Sequence, residues 1–403
     1  LKAKDLVGMK AWKALELGLK NCNLLIIINN ILTNSNEAEK ERIKMNIKET
    51  ESKNITSVNP VNDRIVKITG EFMKENQNNF KLKDRSEVFL NRKKDLKIDA
   101  FTHILTPNFF KDIKELNPKI PQMFGTLINE PLVNVDTRRK YHSEYSDVKE
   151  IISMINFNPE DFTKDREKTY EITRKANEEL IETVKDNSDL FVGAVGMVPM
   201  NNVDGAVKII NEQVGKNKEM FGIQLFSKTL GKSIASDEYL PIFEAVAKND
   251  VVIFLHPVYD MSKNDNNIVF SWEYEQTQAM NEIVMAGIFK KYPNIKILVH
   301  HAGAMVPFFA NRLPLVMPKE YADDFKKFYV DTAIIGNTKA VDMAIDYFGE
   351  DKVIFATDAP VGMQPAGATV DVIESIENLN VSDTTRYKIY RKNLENILNV
   401  KFD

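Results

Sequence analysis

The chain has 403 residues, 43% of them hydrophobic and 28% charged, with a formal net charge of -4, a composition that supplies ample material for a large folded core. No basic stripe interleaved with aromatics is present, which argues against a nucleic-acid partner, and the apolar run at 24–28 is far shorter than the roughly 20 residues needed to span a bilayer. A single cysteine, Cys22, rules out an intrachain disulfide and fits a reducing, cytoplasmic setting.

Residues 1–95 are rich in Lys, Asn and Glu, with helical spacing in Leu6, Met9, Trp12, Leu15 and Leu19. The stretch 37–52 reads as a charged, solvated helix and 81–94 as a basic linker, so this part is expected to be a mainly helical extension used for packing or association. From Leu96 onward, short β-branched runs alternate with amphipathic stretches, the pattern of repeated βα units. Strands are expected at 98–103, 150–154, 191–199, 222–226, 251–256, 295–301, 328–331 and 353–358. Helical segments lie between most of them, at 174–185, 203–214, 240–248, 277–291 and 338–348, and 387–400 closes the chain. Eight units over 96–403 predict a (β/α)8 TIM barrel, an α/β fold, rather than an open doubly wound sheet. No Gly-x-Gly-x-x-Gly follows any expected strand and no Walker-type loop occurs, which removes the usual means of cradling phosphate.

Four of the five histidines and one late aspartate fall where these strands hand over to loops: His103, His256, His300 with His301, and Asp358. In a closed parallel barrel such positions share one rim, so residues far apart in sequence can surround one ion. Imidazole and carboxylate donors suit zinc, manganese or iron, and His103, His256 and Asp358 can supply two histidines and a carboxylate with coordination positions left open. Strand alternation admits only one of His300 and His301 to the barrel mouth without saying which. His142 belongs to no strand end and is expected on the surface or on a lid.

Taken together, Ile98-Asp-Ala-Phe-Thr-His103, Phe221-Gly-Ile-Gln-Leu-Phe226, Phe254-Leu-His-Pro257, His301-Ala-Gly-Ala-Met-Val-Pro-Phe308 and Phe355-Ala-Thr-Asp-Ala-Pro360 resemble, in order and spacing, the amidohydrolase superfamily. The branch they resemble contains 2-amino-3-carboxymuconate semialdehyde decarboxylase and the resorcylate-type decarboxylases. The resemblance implies that His103, His256 and Asp358 are metal ligands, that His301 is the histidine acting beside the metal, and that His300 faces away. It also implies Asp358 and His301 as the catalytic pair, and one divalent cation, zinc before manganese or iron. Arg138 or Arg312 would clamp a carboxylate, and Phe101 and Trp272 would line a pocket for a flat substrate. The family's first strand carries His-x-His, whereas this chain has Phe101 at the first of those positions. Its fourth strand offers Gln224 and Phe226 instead of the lysine that bridges two metals in other members of the superfamily. The expected activity is non-oxidative decarboxylation of a small aromatic or enoic carboxylic acid by a homodimer. Metal-dependent hydrolysis of an amide, lactone or ester, or a barrel reduced to a scaffold, are the competing expectations.

Overall fold

The computed structural model describes residues 85–121, 128–258, 269–361 and 367–403, all within one compact unit, Glu71–Asp260 with Asn266–Asp403. The expected N-terminal helical extension lies outside the described residues up to position 84; the short helix Glu87–Leu90 is its only described element. Eight strands follow in chain order: β1 Lys97–Ile104, β2 Val148–Met154, β3 Phe191–Gly196, β4 Met220–Phe226, β5 Val252–His256, β6 Lys296–Val299, β7 Tyr329–Asp331 and β8 Val353–Ile354. Each pairs in parallel with the strand before it. Main-chain bonds between β1 and the segment after β8 draw the ring together. Ala100 N–H donates to the Phe355 carbonyl (2.9 Å), Asp358 N–H to the Phe101 carbonyl (3.3 Å) and His103 N–H to the Ala359 carbonyl (2.7 Å). The chain is a (β/α)8 TIM barrel.

Strands wrapped by helices are buried on both faces, which is why they read as nearly unbroken apolar runs; every residue of β5 is buried. Side chains from alternate directions fill two layers. Ile98, Phe101, Ile151, Val195, Phe254 and Leu298 belong to the core inside the ring, and a larger cluster fills the space between strands and helices. The longest helix among the described residues, α1 Arg166–Asp186, starts where the Asp165 side chain accepts from Lys168 N–H and buries Ile172, Ala176, Leu180 and Val184 along one stripe. Gly222 is required because a Cβ there would stand 2.1 Å from the Val252 carbonyl oxygen of the neighbouring strand.

Among the differences from the sequence reading, three shape the elements that carry site residues. The segment 355–359 leaves β7 and bonds to β1 instead, so β8 is only Val353–Ile354. The expected helix 277–291 begins earlier, as α2 Ser271–Met285, and breaks at Gly287, whose φ of +68° ends the helix before Ile288–Lys291. β1 carries one extra residue between Asp99 and Thr102 relative to β2, a bulge that interrupts simple alternation beside the site. None of the helices among the described residues is long and apolar enough to cross a membrane.

Candidate active site

β1, β5 and the turn after β8 bring His103, His256 and Asp358 together, each with a donor atom within 4.8 Å of the others; among the described residues this is the one such set. His103 Nε2 is 2.8 Å and His256 Nε2 3.9 Å from Asp358 Oδ1. Both histidines are buried, and the Asp358 side chain is 22% exposed.

The hydrogen bonds behind the two rings fix where their lone pairs point. Ser153 Oγ–H donates to the Thr102 carbonyl (3.0 Å), leaving the same oxygen to accept from His103 Nδ1–H at 3.1 Å. His256 Nδ1 lies 2.7 Å from the Pro257 carbonyl oxygen, an acceptor, and 3.1 Å from Asn156 Nδ2, a donor. With Nδ1 of each ring engaged behind, Nε2 is the atom each ring turns toward Asp358 Oδ1. Burial pushes the Asp358 carboxyl up, but His103 and His256 overcome it and hold the group well below the ordinary carboxylate range. Burial takes His256 down to about 3, with His103 and His300 adding to the effect and Asp358 opposing it. Two imidazole nitrogens and a carboxylate oxygen thus converge, and a cation or a proton between them balances the carboxylate charge. The donor set fits a divalent ion.

His301 lies next to this group, its ring centroid 6.0 Å from that of His256. Its Nδ1 meets Glu273 Oε1 at 2.8 Å. Burial lowers the His301 pKa, yet Glu273 in contact and Asp358 and Asp331 nearby raise it to about 9. His301 and Asp358 both adopt left-handed backbone, with φ of +58° and +64°, a conformation non-glycine residues rarely occupy and one that concentrates at functional sites. The Asp331 carboxylate holds the His301 turn by accepting from its main-chain N–H at 2.8 Å. A cleft of about 720 Å³ opens on His301, Glu273, Tyr274, Met305 and Phe308, beside the three converging donors rather than over them.

The remaining expected site residues are distributed unevenly. Phe101 is completely buried beneath the site, its ring edge-on to His103 at 4.9 Å. Trp272, on α2, stands edge-on to His256 at 5.8 Å, with its indole Nε1 buried and without a partner. Arg138 does not face the site. It is buried, with Nε 2.8 Å from Glu150 Oε2 and Nη1 donating to the His103 carbonyl at 2.6 Å, so it braces the β1 rim, with Nη2 buried and left without a partner. Arg312 lies on the exposed turn 310–312. His142, expected on the surface, is buried against Tyr145 with ring centroids 5.0 Å apart, because the helix Val135–His142 packs inward at its end. Sequence reasoning passed over Ser153, Asn156, Glu273 and Asp331. Ser153 and Asp331 lie at or next to the ends of expected strands, a signal that was present; Glu273, on a helix after a loop, gave none.

The amidohydrolase family model matches residues 158–399, more than half of the chain. The chain belongs to the amidohydrolase family. The match begins after β2, so Phe101 and His103 lie outside it. The chain is 26% identical over 238 residues to 2-amino-3-carboxymuconate-6-semialdehyde decarboxylase of Dictyostelium discoideum, covering 54% of this chain and 63% of that protein's length. It is 24% identical over 305 residues to gamma-resorcylate decarboxylase of a Polaromonas species, covering 69% of this chain and 91% of that one. The crystal structure of a Polaromonas dihydroxybenzoic acid decarboxylase with bound manganese and 2-nitroresorcinol superposes with a TM-score of 0.63 at 20% identity, covering 76% of this amidohydrolase-family chain and 97% of the other.

Proposed function

We propose that this amidohydrolase-family protein is a metal-dependent, non-oxidative decarboxylase of a small aromatic or enoic carboxylic acid, a carbon-carbon lyase. His103, His256 and Asp358 would hold one divalent ion. Zinc is the first choice for two imidazoles and a carboxylate, and manganese is the ion in the Polaromonas structure. When bound, the ion supplies a positive charge that anchors and polarises the substrate. Asp358, ionised, serves as ligand rather than acid.

The observation that carries this reading is the 2.8 Å contact of His301 Nδ1 with Glu273 Oε1 beside the converging donors, a carboxylate that favours the protonated imidazole and raises its pKa to about 9. A hydrolase needs a base at this place to take a proton from water, whereas decarboxylation needs an acid. As the bond between the ring or alkenyl carbon and the carboxyl carbon breaks, its electron pair remains on that carbon and carbon dioxide departs. His301 delivers the proton that forms the new C–H bond, and Glu273 steadies the imidazole before and after. The buried indole N–H of Trp272 is a donor for the substrate's oxygen atoms, and its ring offers a face for a flat substrate. The exposed Phe308, Leu315 and Val316 support a homodimer joined through this side of the barrel.

The test is incubation of zinc- or manganese-loaded protein with carboxyl-labelled 2,6-dihydroxybenzoate and muconate-like acids. Labelled carbon dioxide with the matching decarboxylated product is expected. Lactone or amide hydrolysis without carbon dioxide from any acid would overturn the assignment.

A further inference from the structure

We propose that His300 supplies to the metal centre the nitrogen donor that Phe101 withholds. The inference rests on the metal-centre reading above. Phe101 fills the first-strand position with a fully buried apolar ring, and the ring nearest to it is the His300 imidazole, 3.8 Å away between centroids. His300 is 1% exposed. Its ring centroid is 5.3 Å from that of His256, the same separation as between His103 and His256.

The chemistry of His300 is that of a prepared ligand. Its Nδ1 bonds to the Asp331 carboxylate, which is itself fully buried, and its Nε2 is buried with no partner. Asp331 is fixed in turn, its other oxygen accepting from the main-chain N–H groups of His301 (2.8 Å) and Ala333 (3.0 Å). A carboxylate on one imidazole nitrogen sets the tautomer and leaves the opposite nitrogen a more basic donor, the carboxylate–histidine arrangement found behind metal ligands. The resemblance to the family had assigned His300 to the outward face; the structure turns it inward. Its Nε2 lies outside the set of atoms mutually within 4.8 Å, so engagement draws the His300 ring toward His256 and Asp358. The main chain at that point is secured by Gln276 Nε2–H, which donates to the His300 carbonyl at 2.6 Å.

The full chain, stripped with chelator and dialysed, is titrated with zinc alone by calorimetry, and the zinc-loaded protein is examined by X-ray absorption for the number of imidazole nitrogens. His300→Asn is expected to weaken zinc about 10- to 100-fold and to remove one imidazole from the shell. Asp331→Asn weakens zinc by a smaller factor, and His142→Asn, which also alters a buried histidine, leaves affinity unchanged. A folded His300→Asn variant with wild-type affinity and an unchanged nitrogen count overturns the inference while leaving the metal centre standing. Should that variant not fold, Asp331→Asn decides in its place, and an affinity within about twofold of wild type overturns the inference. Wild-type protein that takes up no zinc, or takes it up equally well as His256→Ala, defeats the metal-centre reading and this inference with it.

Discussion

Glu273→Gln isolates the proton on His301. The substitution keeps the size and one acceptor of the side chain but removes the charge that, at 2.8 Å from Nδ1, does most to lift His301 from its ordinary 6.5 to about 9. Without it burial dominates and the value falls to 6.5 or below. At pH 8 a group titrating near 9 is about 90% protonated and one near 6.5 about 3%, so kcat/KM should drop roughly thirtyfold. At pH 6 the wild-type group is protonated and the variant's far more so than at pH 8, so the deficit should shrink by roughly tenfold or more. The alkaline limb of the pH–rate profile thus moves from about 9 down to 6.5 or lower. The same pair affects stability with a definite sign. A raised histidine pKa stabilises the fold fully below 6.5, and that contribution disappears as pH rises through about 9; its ceiling is about 3 kcal/mol. Glu273→Gln should therefore melt lower than wild type at pH 6 and equally at pH 10. Titration of the apo protein followed by histidine NMR checks the cause directly. A wild-type His301 that titrates at or below 6.5, or an activity loss of equal size at pH 6 and pH 8, would refute the reasoning.

Three further outcomes follow from the site. His256→Ala and Asp358→Ala should each reduce bound metal below about 0.1 equivalent by elemental analysis, whereas His142→Ala should keep its full complement. Trp272→Phe removes the buried indole N–H together with part of the ring, so substrate affinity should fall about tenfold or more with metal content unaltered; an unchanged KM would remove Trp272 from substrate recognition. Arg138→Met leaves the Glu150 carboxylate buried without its partner and should cost roughly 3–5 kcal/mol in denaturant titrations. A loss below about 1 kcal/mol would show that the pair is not structural.

The architecture was legible because a barrel strand is buried on both sides and so announces itself as a short apolar run; β1, β4, β5 and β7 fall within two residues of their expected limits. What escaped was settled by contacts distant in sequence. The chain from Phe355 to Ala359 looks like more strand, but its partner is β1, and the bulge between Asp99 and Thr102 is invisible without β2 alongside. At the site, histidines at strand ends carried the signal, and the structure brings His103, His256 and Asp358 together. Arginine was harder to read, since an identical residue can clamp a substrate or brace a wall. Only the burial of Arg138 against Glu150 distinguishes them. His300 was placed on the outer face because the resemblance gave the inner place to His301 and alternation admitted only one of the two, yet both lie beyond the end of β6, where the pleat no longer governs direction.

The seam joining β1 to the turn after β8 also sets an order of events. His103 and His256 leave the ribosome well before Asp358, so the nascent chain exposes two imidazoles long before the carboxylate that completes the trio exists. The same turn that delivers Asp358 forms the bonds to Phe101 and His103 that seal the ring. The converged trio and the closed ring are thus one event late in synthesis, and an ion held by the three donors would be captured with it.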